Sequence, residues 1–175
     1  MRLLLHTCCG PCASHCIGVL RELGHDVTLF YSNANIAPAE EYSKRLENVK
    51  LLSSCVKVPL IVDETDHGKW LSQVARGFEK EPERGLRCER CFRLSLERTY
   101  AAMLKLNFET FTTTLTISPH KHTPTIFAIG RSLDPERFLA INFKKNDGFK
   151  HSLELAAQMG LYRQNYCGCE FSMRS

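Results

Sequence analysis

At 175 residues, with 43% hydrophobic and 24% charged side chains, the chain has the size and balance of a single globular domain with a real core. No apolar run approaches the roughly 18 residues needed to span a bilayer, and Arg2 with Leu3 to Leu5 is too short for a signal-peptide core, so a cytoplasmic location with no membrane partner is expected. The net charge of +4 is compatible with a polyanionic partner without establishing one. The nine cysteines are an odd number, so they cannot all pair, and clustered thiols in a reducing compartment point to metal binding or redox chemistry.

The apolar run Arg2 to His6 predicts a buried strand, ending in a glycine-proline turn rich in thiols. A helix is expected from about Ala13 to Leu23, with Cys16, Val19, Leu20 and Leu23 on one face and Gly24 at its C-terminal cap. Asp26 to Tyr31 reads as a second strand. The loop Ser32 to Pro38 then leads into a helix that turns Tyr42, Leu46, Val49 and Leu52 inward. Val58 to Val62 is a weaker third strand, with Pro59 at its edge. Asp66 caps a helix whose stripe is Trp70, Val74 and Phe78. After a charged loop, Cys88-Glu89-Arg90-Cys91 opens a helix running to about Leu106. Phe108 to Leu115 is a fourth strand, Thr123-Pro124 begins another helix, and Phe138 to Phe143 is a fifth strand. His151 to Met159 is the last helix, capped by Gly160.

Strands alternating with helices predict an α/β fold: one domain spanning 1–175, with a parallel sheet and helices on both faces. Ligand loops then gather beyond the carboxyl ends of the strands. Four polar loops are expected there: the thiols at 8–12, the Asn33/Asn35 loop, Ser118-Pro119-His120-Lys121, and Lys144-Lys145.

Cys88-x-x-Cys91 sets two thiols about one helical turn apart, the usual spacing for a shared metal. With Cys8, Cys9 and Cys12 it supplies enough sulfur for a four-ligand site, and the nearby arginines favour thiolate over thiol. Soft sulfur sites take zinc or an iron–sulfur cluster, and spacing does not separate the two. Cys9-x-x-Cys12 is a more familiar chelating spacing than adjacent Cys8-Cys9, so Cys12 stands as an alternative ligand. Cys167-Gly168-Cys169 can close only a strained, readily reduced disulfide; the pair can instead bind a second metal or the far side of the same cluster, or stand as two incidental tail cysteines.

The remaining polar positions have plainer explanations available. Cys16 and Cys55 fit as small hydrophobes within helices. His6 reads as a satisfied core histidine. His120 and Lys121 divide between substrate contact and simple exposure. A solvated helix face accounts for most of the arginines between Arg84 and Arg98. Tyr162, Arg163 and Tyr166 are placed either to meet a base and a phosphate or to anchor the tail.

Seven stretches together are similar to the QueH family, cobalamin-independent epoxyqueuosine reductases. They are His6-Thr7-Cys8-Cys9-Gly10-Pro11-Cys12, Asn33-Ala34-Asn35-Ile36-Ala37-Pro38, Glu41-Tyr42 with Arg45, Arg87-Cys88 with Cys91, Thr113-Thr114-Leu115, Ser118-Pro119-His120-Lys121, and Tyr162-Arg163-Gln164-Asn165-Tyr166-Cys167-Gly168-Cys169. The resemblance runs in order from Met1 to Ser172. It implies a nucleotide-loop-like (HUP) fold, a 4Fe-4S cluster, and removal of the epoxide oxygen of epoxyqueuosine at the tRNA wobble position to give queuosine. By motif, Cys8, Cys9, Cys88 and Cys91 become the cluster ligands and Cys167 with Cys169 a redox-active pair.

Such a reaction needs two electrons and two protons, hence a low-potential electron donor as a further partner. A second, mononuclear iron beside the cluster is compatible with the spare thiols. His120 is a candidate proton donor, and Asn33, Asn35, Lys121, Tyr162 and Arg163 are candidate tRNA contacts. The rivals are a zinc–thiolate tRNA-binding module without redox catalysis, an ATP-dependent tRNA-modifying enzyme, and a disulfide reductase. The second would carry a Ser-Gly-Gly phosphate loop where this chain has Cys8-Cys9-Gly10. The third does not need seven clustered thiols.

Overall fold

The computed structural model describes residues 1–173. Its strands are β1 (Arg2–His6), β2 (Asp26–Tyr31), β3 (Leu60–Val62) and β4 (Thr110–Thr113), all parallel, in the order β3-β2-β1-β4. The unbroken leucines of β1 suit a central strand covered on both sides. Leu3 and Leu5 enter one core and Leu4 the other, and all three are fully buried.

The helices are α1 (Gly10–Glu22), α2 (Ala39–Val56), α3 (His67–Trp70), α4 (Leu86–Lys105), α5 (Thr123–Leu133) and α6 (Gly148–Met159). The Leu3/Leu5 face packs on Ile17 and Leu20 of α1, Val49 and Leu52 of α2, and Ala156 of α6. The Leu4 face packs on Phe92, Leu96 and Met103 of α4 and Ile126 and Ile129 of α5. This is an α/β fold of the expected Rossmann- or HUP-like kind. Because the chain goes from β1 to β2 on one side and places β4 on the other, the topological switch point lies between β1 and β4, where ligand loops diverge.

Several expectations need correction. Phe138 to Phe143 is not a fifth strand: Phe138 makes a single parallel bridge to Phe111. Beyond it β4 turns into a 3-10 helix (Thr114–Ile117), so no ladder partner continues. Side chains take over instead, with the Thr112 and Thr116 hydroxyls donating to the carbonyls of Leu139 and Ile141 at 2.7 Å each. α1 starts at Gly10 rather than Ala13, because Cys9 caps it and Pro11 fits its first turn.

Asp66 caps α3 as expected, accepting from the Gly68 N–H at 2.8 Å, but a π-helical turn (Leu71–Ala75) ends that segment before Phe78. Leu23 is 60% exposed, and Cys55 is exposed on α2 rather than packed. Gly24 (φ +86°) and Gly160 (φ +67°) take the left-handed conformation expected after a helix.

Candidate metal centre

The turn between β1 and α1 collects three sulfurs. The Sγ atoms of Cys8, Cys9 and Cys12 lie within 4.8 Å of one another. Cys9 caps α1 through its sulfur, which accepts the Cys12 backbone N–H at 3.4 Å. Cys8 Sγ sits 3.9 Å from Cys9 Sγ and 3.3 Å from the Thr114 hydroxyl, so the start of the 3-10 helix after β4 reaches the same point.

The three thiols titrate unequally. Hydrogen bonds from Cys12 and Cys9 hold Cys8 well below the ordinary thiol range, overcoming its burial. Burial pushes Cys9 up to about 12, and the charge and hydrogen bonding of Cys8, then Cys9, raise Cys12. The trio therefore carries its first negative charge on Cys8. A bound metal would supply the driving force to remove the other protons.

The trio borders a cleft of about 270 Å³ whose walls include Cys8, Cys12, Cys91 and Cys167. A narrower space of about 60 Å³ adjoins it, lined by Cys88, Cys91, Cys167 and Cys169. Asn35, Cys91, His120, Lys121 and Cys167 belong to both. Thiols from the β1–α1 turn, the start of α4 and the C-terminal segment thus line two adjoining spaces. Burial raises the Cys88 and Cys91 thiols, so neither is an anion in the absence of a metal or other partner at neutral pH. An all-sulfur donor set of this kind can hold a metal and suits a soft one.

Lys121, half-buried, stands between the two groups of thiols. Burial opposes its charge, but Cys167, Cys8, Cys12 and Cys9 outweigh that and raise its pKa above the ordinary lysine value. The neighbouring His120 is exposed, and its carbonyl accepts from Arg84 Nε at 2.7 Å.

A scan against family models matches residues 3–175 to the family described as epoxyqueuosine reductase QueH. Similar proteins carrying that description occur in Streptococcus pyogenes serotype M1 (34% identity over 98% of this chain and 70% of that protein), Acinetobacter baylyi (34%; 99% and 81%) and Thermotoga maritima (35%; 98% and 90%). The chain belongs to the QueH family.

Among the expected site residues of this QueH chain, Cys8, Cys12, Cys88, Cys91, Cys167, Cys169, Asn35, Lys121, His120 and Arg163 line the two spaces. Cys9 lies behind them, 1% exposed. Asn33 borders the cleft, but its amide is used in donating to the Thr7 carbonyl at 2.9 Å, which ties the ends of β1 and β2 together. Tyr162 anchors the tail: its hydroxyl donates to Glu41 at 3.0 Å, and Lys44 Nζ lies 3.7 Å from the centre of its ring. The Lys144-Lys145 loop does not reach the cleft. Lys144 Nζ instead donates to the Thr116 carbonyl and the Thr123 hydroxyl at 2.8 and 2.5 Å.

Three supporting residues were not among the expected site residues. Arg45, 2% exposed, holds the backbone of Tyr166 and Cys167. Arg87, also 2% exposed, gathers the carbonyls of Phe78, Glu79 and Glu81 and so fixes the loop leading to Cys88; it is not part of a solvated face. Trp70 packs beside Cys91 and Cys169. The one available signal was the place of Arg45 and Arg87 within the family motifs.

Proposed function

We propose that this chain, acting as one domain in the cytoplasm, reduces the epoxide of epoxyqueuosine at the wobble position of a tRNA anticodon, leaving the alkene of queuosine. Family membership supports the reaction. The observation that carries it to this site is the meeting of thiols from three distant segments in one cleft, at the switch point of the sheet. The change takes up two electrons and two protons and releases the oxygen as water.

The donor set fits a 4Fe-4S cluster: soft sulfurs crowd together, and one of them already accepts a backbone N–H, as cluster sulfurs do. Cys8, Cys9, Cys88 and Cys91 are its proposed ligands, with Cys12 the alternative within the trio. When bound, the cluster supplies low-potential electrons one at a time, drawn from a separate carrier. Cys167 and Cys169 are both free thiols here and serve as a redox pair or hold a second, mononuclear iron. Lys121 brings a protonated amine to the shared wall of both spaces, and His120 offers an imidazole beside it. Asn35 presents its amide to the substrate. Arg163, exposed on the rim, suits an RNA phosphate.

The test is anaerobic turnover of tRNA containing epoxyqueuosine with a chemical reductant. The account expects the wobble nucleoside to lose the mass of one oxygen. A fully metal-loaded protein that leaves the nucleoside unchanged contradicts it.

A further inference from the structure

Trp70 is the only tryptophan of the chain and is 1% exposed. Its indole Nε1 is buried and has no hydrogen-bond acceptor among the described residues. Buried N–H groups almost always find a partner, so an orphan of this kind needs an explanation. The surroundings supply one, because Trp70 shares a packed cluster with Cys169, Cys91 packs against that cluster, and all three line the narrower space.

The ring cannot turn freely to seek another acceptor. It stacks on His67 with centroids 5.4 Å apart and planes 13° from parallel, and Phe171 lies on it at 6.4 Å. His67 is itself fixed at both nitrogens, by the Ala34 carbonyl at 2.8 Å and the Glu170 carboxylate at 2.9 Å. A neutral thiol is a weak acceptor, whereas a metal-bound thiolate is a strong one.

We propose that Trp70 is a positioning residue of the metal centre: once a metal holds Cys91 as a thiolate, the Trp70 Nε1–H would donate to its sulfur and would stabilise the reduced, more negative state of a cluster bound there. This rests on the reading of Cys91 as a ligand. Hydrogen bonds to cluster sulfurs are among the protein's means of setting potential, and each one raises it by favouring added negative charge.

Because there is one tryptophan, it can be replaced throughout by benzothienylalanine, which keeps the ring shape and puts sulfur where N–H was. With iron and sulfide content unchanged, the midpoint potential of the holoprotein is expected to shift to a more negative value, as it does in Trp70→Phe. The isostere decides should Trp70→Phe fail to fold. In wild-type protein loaded with cadmium-113 in place of iron, the single indole resonance is expected to move downfield and couple to the metal. An unchanged potential in the isostere, or an indole signal indifferent to cadmium, overturns the proposal. A wild-type protein that takes up no metal, or Cys91→Ser with full iron content, overturns the ligand reading itself and this inference with it.

Discussion

The guanidinium of Arg45 holds the backbone of Cys167: Nη1 donates to the Cys167 carbonyl at 2.7 Å and Nη2 to the Tyr166 carbonyl at 2.9 Å. Its Nε donates to Glu41 at 2.9 Å, so one buried side chain of α2 clamps the C-terminal thiol segment onto the cleft. Removing it in Arg45→Ala leaves the largely buried Glu41 carboxylate without its cation, with only the Tyr162 hydroxyl still donating to it, and takes the donors from two carbonyls. The expected destabilisation is about 3–5 kcal/mol, read from urea denaturation. Faster alkylation of Cys167 should accompany it.

Gly168 lies at φ +147°, a conformation that side chains rarely adopt. A Cβ there would meet Asn35 Nδ2 at 3.0 Å and Arg45 Nη1 at 3.1 Å. Gly168→Ala should therefore cost about 1–3 kcal/mol in a denaturation experiment and should displace Cys167 and Cys169 from the cleft. Wild-type stability in this variant would contradict the clamp.

The division of the thiols is testable in pairs. Cys88 lines the narrower space, while Cys55 is exposed on α2. Cys88→Ser is expected to lose bound iron and all turnover, and Cys55→Ser to keep both at wild-type levels. Bleaching in Cys55→Ser would show the thiols have been sorted wrongly.

His6 gives the fold a pH dependence. Its Nε2–H donates to the Ser32 carbonyl at 3.2 Å, and in the neutral ring Nδ1 accepts from the Thr113 hydroxyl at 2.9 Å. Burial holds its pKa below the ordinary 6.5. Below that value the unfolded chain takes up a proton that the folded chain refuses. The contribution is thus complete above about pH 6.5 and is lost as the pH falls towards the folded value. The urea midpoint should drop between pH 7 and 5, and less steeply in His6→Gln; equal slopes would contradict this assignment.

Much of this architecture is legible in the sequence, because β1 is an apolar run of leucines and Gly10-Pro11 opens the next helix soon after it. The thiol spacings likewise carry the expectation of one shared site. What escapes is whatever depends on a tertiary partner. Phe138 to Phe143 has the composition of a strand, yet β4 has already turned into a 3-10 helix where a ladder would continue. Arg87 sits in a charged run, and no periodicity distinguishes a guanidinium that gathers three carbonyls from one in water. Trp70 fits a core stripe, and what gives it another meaning is an N–H near Cys91 that has no partner among the described residues.

The most direct test of the central claim is anaerobic purification followed by a visible spectrum and counts of iron and acid-labile sulfide per chain. The account predicts a brown protein with about four irons and matching sulfide, and a fifth iron if Cys167 and Cys169 hold a second site. A colourless protein with about one zinc per chain would remove the electron source and contradict epoxide reduction at this cleft.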